Sequence, residues 1–144
     1  MSKQVPHFGS FEEFWPYYVH EHSKKSTRVL HFLGTAAALG TLGIAIAKRK
    51  PKLALLAPVF GYGPAWISHF FIEKNKPATF NYPLYSLRGD FRMIGKMLAG
   101  TMDTEVARVM NTSWPWQAKA SSGEPDGARA AERSGATDGE LDYN

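Results

Sequence analysis

The sequence contains no cysteine, and this absence removes several kinds of chemistry. Without thiols the chain can form neither a disulfide nor a thiolate zinc site, and it has no cysteine nucleophile. It also has no glycine-rich phosphate loop after a strand and no serine in a nucleophile elbow. The Gly-Tyr-Gly sequence at residues 61–63 is too short to be a dinucleotide-binding fingerprint. The sequence therefore indicates neither thiol chemistry nor nucleotide binding.

Acidic residues are scarce in the first two-thirds of the chain. Residues 1–100 contain 13 Lys or Arg and 5 Asp or Glu, whereas residues 101–144 contain 4 and 8. The basic residues flank apolar segments, and the sequence carries no motif of RNA- or DNA-binding proteins. We therefore expect the basic surface to contact anionic lipid and not nucleic acid.

Two long apolar segments have no formal charge. They extend over residues 31–47 and 53–72 and are joined by a short basic connection. Each approaches the roughly 20 residues needed to cross a bilayer, and the short connection makes them an antiparallel hairpin. A pair of buried helices in a soluble bundle is the alternative.

Prolines and glycines indicate that the second apolar segment is not a plain helix. Pro58, Gly61 and Pro64 lie inside it, and such breaks are tolerated at membrane depth where the freed backbone groups face protein or a cavity. In the first segment small residues, among them Gly34, would allow a partner helix to approach closely. An ordinary set of small residues explains them equally well.

Two amphipathic segments flank the hairpin. Ser10 and Glu13 form a candidate capping box before the aromatic stripe of residues 11–22. Pro16 either kinks this helix or makes it begin later. After the hairpin, residues 84–99 combine an apolar face with a basic one, as in a helix that lies on anionic lipid.

The predicted fold class is therefore all-α. We expect a small membrane helical bundle built on a helical hairpin, with flanking amphipathic helices and a disordered C-terminal tail. The membrane helical domain takes residues 1–116. The tail takes residues 117–144, where Ala, Gly, Ser, Asp and Glu predominate.

Three histidines are candidates for a metal site. His22 continues the aromatic stripe of the first helix, His31 opens the first apolar segment, and His69 lies near the end of the second. In an antiparallel hairpin the start of one segment and the end of the other lie at the same depth, so these imidazoles can meet. A histidine within a membrane segment costs free energy unless its ring is paired or has a functional role. Histidines that only pack and hydrogen-bond are the alternative.

Glu73 is a candidate catalytic residue beside this site. It follows His69 by four residues, which on an α-helix places both side chains on one face. Imidazole together with a carboxylate suits iron, zinc or manganese.

Several segments resemble the Mpo-like family of small membrane proteins. They are Phe14-Trp-Pro-Tyr-Tyr18, Glu21-His22, Arg28, His31-Phe-Leu-Gly34, Gly61-Tyr-Gly63, the His69–Thr79 segment HFFIEKNKPAT, and Ser86-Leu-Arg-Gly-Asp90-Phe. The last of these is similar to the end of short, bacterial-type members, and the resemblance covers roughly residues 8–100. Characterised fungal members are iron(II)-dependent dioxygenases of the endoplasmic reticulum membrane, which shorten 2-hydroxy fatty acids by one carbon with release of carbon dioxide.

The resemblance implies roles for individual residues. His22, His31 and His69 correspond to the metal-binding histidines, so Fe²⁺ is the expected cofactor, and Glu73 falls at the Glu-Lys position of the family. Candidates to hold the substrate carboxylate are Arg28, Lys74 and Lys76.

The expected partners are a 2-hydroxy fatty acid, molecular oxygen and the membrane, with a homo-oligomer possible and no nucleic acid. We expect an integral protein of a bacterial inner membrane, or of the endoplasmic reticulum if the source is eukaryotic. Two other functions stay open. The first is a zinc-dependent membrane hydrolase on the same scaffold, and the second is a non-enzymatic membrane adaptor.

Overall fold

A computed structural model describes residues 5–117, and within them the only regular secondary structure is helical. This confirms the all-α prediction. Residues 7–112 form one compact unit. The described residues outside it belong to a second unit, in which the Trp114 backbone N–H donates to Gln117 Oε1 at 2.8 Å. Apart from Gln117, the predicted disordered tail lies outside the described residues.

The first helix, α1 (Phe11–Glu21), begins at the predicted capping box. Ser10 Oγ accepts from the Glu13 backbone N–H at 3.2 Å, and the Glu13 carboxylate accepts from Gly9 N–H at 3.0 Å. The first bond satisfies a donor that a helix N-terminus otherwise leaves unpaired, and the second ties the residue before the N-cap to the first turn. The helix continues through Pro16, so it does not begin later.

The hairpin is confirmed, and its second arm is not a plain helix, but the breaks do not fall at the predicted residues. Pro58, Gly61 and Pro64 all lie inside the helix Ala57–Ile67, and Pro58 is in its first turn, where the missing N–H costs no helical hydrogen bond. Helix α2 (Lys25–Ala47) forms the first arm and begins six residues before the predicted apolar segment, which starts at residue 31. The second arm consists of α3 (Pro51–Ala54), α4 (Ala57–Ile67) and a π-helix (Ser68–Glu73). Two residues in turn conformation separate α3 from α4.

Both arms are long and apolar enough to cross a membrane. They extend over Lys25–Ala47 and Pro51–Glu73, each with 23 residues, and only about a fifth of each apolar window (17% and 22%) is buried within the chain. Large side chains such as Ile46 and Leu55 are 78% and 75% exposed. An apolar face of this extent needs a cover other than water.

The two arms approach each other closely at Gly34. A Cβ atom placed on this residue would lie 2.9 Å from the Gly61 carbonyl oxygen and 3.1 Å from that of Phe60. Only a residue without a side chain permits this contact, as predicted for the small residues of the first arm.

Two further helices pack beside the open end of the hairpin. Helix α5 (Pro83–Leu98) confirms the predicted amphipathic helix and contacts α1 and α2. Helix α6 (Met102–Met110), which the sequence analysis did not single out, contacts α1. There Glu105 Oε1 accepts from Trp15 Nε1 at 2.7 Å.

Substitution of Gly34 by Ala is predicted to destabilise the hairpin by about 1–3 kcal/mol, because the backbone oxygens facing it cannot move without separating the arms. Gly40→Ala is the matched control, since it lies on the same helix and its added Cβ would meet nothing within 4 Å. Both variants gain the same helix propensity. Thermal unfolding in detergent should place Gly34→Ala below Gly40→Ala, and equal midpoints would contradict the close contact.

Candidate metal centre

Three imidazoles converge at the open end of the hairpin. His22 caps the end of α1, His31 lies on α2, and His69 lies on the π-helix. One ring nitrogen from each lies within 4.8 Å of the others. The ring centroids are 4.6, 4.6 and 5.2 Å apart, and the ring planes are nearly perpendicular to one another, at 82–89°. The prediction that these residues meet is confirmed.

Each imidazole is held through its Nδ1 atom by a separate oxygen. His22 Nδ1 pairs with the Tyr18 carbonyl oxygen at 2.7 Å. His31 Nδ1 pairs with Asp90 Oδ1 at 2.9 Å, and His69 Nδ1 with Asn75 Oδ1 at 2.8 Å. Since these oxygens accept hydrogen bonds, Nδ1 carries the proton in each ring and Nε2 keeps its lone pair.

Two of the Nε2 atoms are buried without a partner. Within the described part of the chain, His22 Nε2 and His31 Nε2 make no hydrogen bond, and both residues are almost completely buried. A buried polar atom left unpaired costs about 1–3 kcal/mol, so it calls for an explanation. A metal ion bound by the three Nε2 atoms would satisfy them, and metal-bound histidines usually donate their other N–H to an oxygen in this way.

Burial keeps the His22 ring neutral. The pKa of His22 is lowered well below its ordinary value by burial, and next by the neighbouring His31 and His69 rings. A neutral imidazole is the form that ligates a metal. His22 therefore presents its Nε2 lone pair at neutral pH without having to lose a proton first.

Asp90 connects two of the three segments that carry the histidines. Its Oδ1 accepts from His31 Nδ1 on α2 and from the Tyr18 hydroxyl on α1. The Tyr18 ring in turn stacks on the His22 ring, with centroids 4.0 Å apart. Burial, and then the Asp90 carboxylate, raises the pKa of Tyr18, so the phenol stays protonated and donates.

The neighbouring Gly89 allows this contact to form. A Cβ atom there would lie 2.8 Å from the Tyr18 ring. A side chain at this position would push α5 away from α1, and Asp90 would move with it.

Asn75 fixes the third histidine, His69. Its amide nitrogen donates to the Glu21 carbonyl oxygen at 3.1 Å and to the Glu21 carboxylate at 2.7 Å. These bonds orient the amide so that Oδ1 faces His69. The end of α1 thereby holds His69 indirectly as well as His22 directly.

The structure places Glu73 away from the histidines. Its carboxylate accepts from the Lys24 backbone N–H at 2.9 Å and lies 4.0 Å from the Lys24 ammonium. The prediction assumed α-helical spacing, but residues 68–73 form a π-helix, whose wider turn changes which residues share a face. Asn75, and not Glu73, contacts the His69 ring.

The three predicted carboxylate-binding residues do not line the cavity beside the histidines. Arg28 is buried, and its guanidinium donates to Asp103 at 2.6 Å and to the His22 and Ser23 carbonyl oxygens. It therefore connects α2 to α6 and holds the backbone of a candidate ligand. The side chains of Lys74 and Lys76 are exposed.

The sequence analysis assigned no role to Tyr18, Asn75 or Asp90. A signal existed for Tyr18, because a residue four positions before His22 on a helix offers its carbonyl oxygen to that ring. Asn75 and Asp90 lie in the segments that carry the family resemblance. Which histidine each of them contacts depends on the π-helix and on the packing of α5, which spacing alone does not give.

An apolar groove leads away from the histidines. It has a volume of about 380 Å³ and runs between α2 and α4, with α5 alongside. His31, His69 and Asp90 line one end, and small or apolar side chains line most of the remainder. Among the described lining residues there is no lysine or arginine. The candidate metal centre thus opens into a site that suits a long apolar ligand.

A family model described as "2-hydroxy-palmitic acid dioxygenase Mpo1-like" matches residues 8–102. The matched region includes all three histidines together with Asn75 and Asp90. A search of curated proteins and a search of solved structures each returned no match.

Asp90→Asn is predicted to weaken metal binding by about 10- to 100-fold, the usual cost of losing a residue that orients a metal ligand. The variant keeps the size of the side chain but removes the charge that faces His31 and Tyr18. Anaerobic calorimetric titration with iron(II) measures the effect. Glu12→Gln removes an exposed carboxylate that pairs with Arg92 and serves as the control. Equal affinities in the two variants would contradict the role of Asp90.

Proposed function

The chain belongs to the 2-hydroxy-palmitic acid dioxygenase Mpo1-like family, and we propose that it is an iron(II)-dependent dioxygenase that acts on 2-hydroxy fatty acids. The observation that carries the proposal is the group of three buried imidazoles, two with unpartnered Nε2 atoms, at the end of an apolar groove. The family name alone would not say where in this chain the chemistry takes place.

The donor set fits a divalent transition metal. His22, His31 and His69 would hold it through Nε2, and three protein ligands leave coordination positions open. Bound iron(II) would supply electron exchange with oxygen at those positions. Asp90 and Asn75 hold the orientation of the His31 and His69 rings while substrate enters, because each accepts a hydrogen bond from the Nδ1–H of its histidine.

The proposed overall reaction balances without a further reductant. A 2-hydroxy acid, R–CH(OH)–COOH, and O₂ give R–COOH, CO₂ and H₂O. The bond between the carboxyl carbon and the hydroxylated carbon breaks, and the hydroxylated carbon becomes the new carboxyl carbon. The four electrons released from the substrate reduce O₂.

The substrate fits the groove with its polar end at the histidines. The carboxylate and 2-hydroxyl would lie beside His31 and His69, and the alkyl chain would follow the apolar walls between α2 and α4. Burial of each methylene contributes about 0.8 kcal/mol to binding. The exposed Lys74 and Lys76 are then cations that attract the carboxylate towards the site and do not contact it once bound.

The bilayer is the proposed cover for the outer face of the hairpin. The two arms are long enough to span it, and their large apolar side chains face outward. A groove between these arms would take its lipid substrate directly from the membrane. A bacterial inner membrane, or the endoplasmic reticulum in a eukaryote, remains the proposed location.

Metal binding is predicted to require all three histidines. His22→Ala, His31→Ala and His69→Ala should each lose most of the iron(II) that the purified protein binds in detergent, as measured by elemental analysis after anaerobic loading. His20→Ala is the control, because that ring is half-buried and lies outside the cluster. Iron content equal to that of the wild type in all three variants would contradict the assignment of the metal site to these histidines.

Activity is predicted to depend on oxygen and iron together. Protein loaded with iron(II) and supplied with a 2-hydroxy fatty acid under air should consume oxygen and form the acid that is one carbon shorter, as measured by mass spectrometry. Tight zinc binding with an oxygen-independent reaction would instead indicate the hydrolase. A protein that binds no metal would indicate the adaptor.

A further inference from the structure

We propose that Leu42 and Ala54 set the length of the acyl chain that the protein accepts. This inference rests on the proposed function, because it takes the groove beside the histidines as the acyl-chain site. It goes further by naming the place in the groove where the acyl chain ends and the residues that determine this place.

One wall of the groove is a single face of α2. His31, Thr35, Ala38 and Leu42 line it, and they recur every three or four residues, as neighbours on one face of a helix do. From His31 to Leu42 the helix rises about 16 Å. The groove therefore runs along the arm from the metal-binding end towards the tip of the hairpin.

The opposite wall combines small and aromatic residues. Ala57, Gly61 and Ala65 line it between His69 and Ala54, together with Tyr62 and Trp66. A Cβ added at Gly61 would lie 3.4 Å from the Ala38 Cβ, so the two arms are in contact there and the groove runs along this contact. The small side chains leave room above it for a straight chain of methylenes.

A second cavity begins where the groove ends. It has a volume of about 420 Å³ and lies near the hairpin tip, where Ala45, Ile46, Arg49 and Pro51 contribute to its lining. Leu42 and Ala54 line both cavities. They therefore form the partition between the groove and the tip cavity.

Two substitutions test the partition in opposite directions. Leu42→Ala joins the two cavities and should shift the preferred chain to longer acids. Ala54→Leu fills the end of the groove and should shift it to shorter acids, with about a fourfold loss of affinity for each methylene that no longer fits. Binding is measured for a homologous series of straight-chain 2-hydroxy fatty acids, by displacement of a fluorescent fatty acid from the iron(II)-loaded protein under anaerobic conditions.

The controls match the two changes in size. Ile44→Ala and Ala36→Leu alter exposed positions on α2 that line neither cavity, and they should keep the wild-type length profile. If Leu42→Ala and Ala54→Leu fold but keep that profile as well, the partition does not set chain length. If the acids bind with the predicted shifts but are not oxidised under air, the dioxygenase proposal fails while the partition stands.

Discussion

The hydrogen bonds to the three imidazole Nδ1 atoms are the constraint on which the rest of the site depends. Each assigns the ring proton to Nδ1 and leaves Nε2 with a lone pair. The acceptors come from three different segments, namely the α1 backbone, the loop after the π-helix, and α5. The packing of these segments against the hairpin therefore also orients the three rings and their Nε2 atoms.

Residues at the end of α1 take part in the contacts that hold all three histidines. Tyr18 supplies the carbonyl for His22, stacks on that ring and donates to Asp90. Glu21 holds the Asn75 amide. Arg28 adds a bond to the His22 carbonyl oxygen while it pairs with Asp103 of α6. A short amphipathic helix is thus tied to both arms of the hairpin, and its displacement would disturb all three histidines together.

The parts of the fold that depend on local pattern were predictable from the sequence. The capping box at Ser10, the helical hairpin and the meeting of His31 with His69 follow from spacing and from antiparallel geometry. The break in the second arm fell outside the Pro58–Pro64 stretch for which it was predicted. The position of Glu73 did not follow, because the π-helix changes the register by which residues share a face. The role of Asp90 could not be predicted from the sequence either, since it depends on how closely α5 approaches Tyr18 beside Gly89.

The position of the centre at the open end of the hairpin has a consequence for biogenesis. His22 precedes both apolar arms in the chain, while Asp90 follows them. A ribosome therefore releases the last of these residues only after both arms have been synthesised, so the three histidines gain all their hydrogen-bond partners only when the hairpin is complete. In the proposed metalloprotein, metal acquisition would then be a late maturation step at the open end of the hairpin.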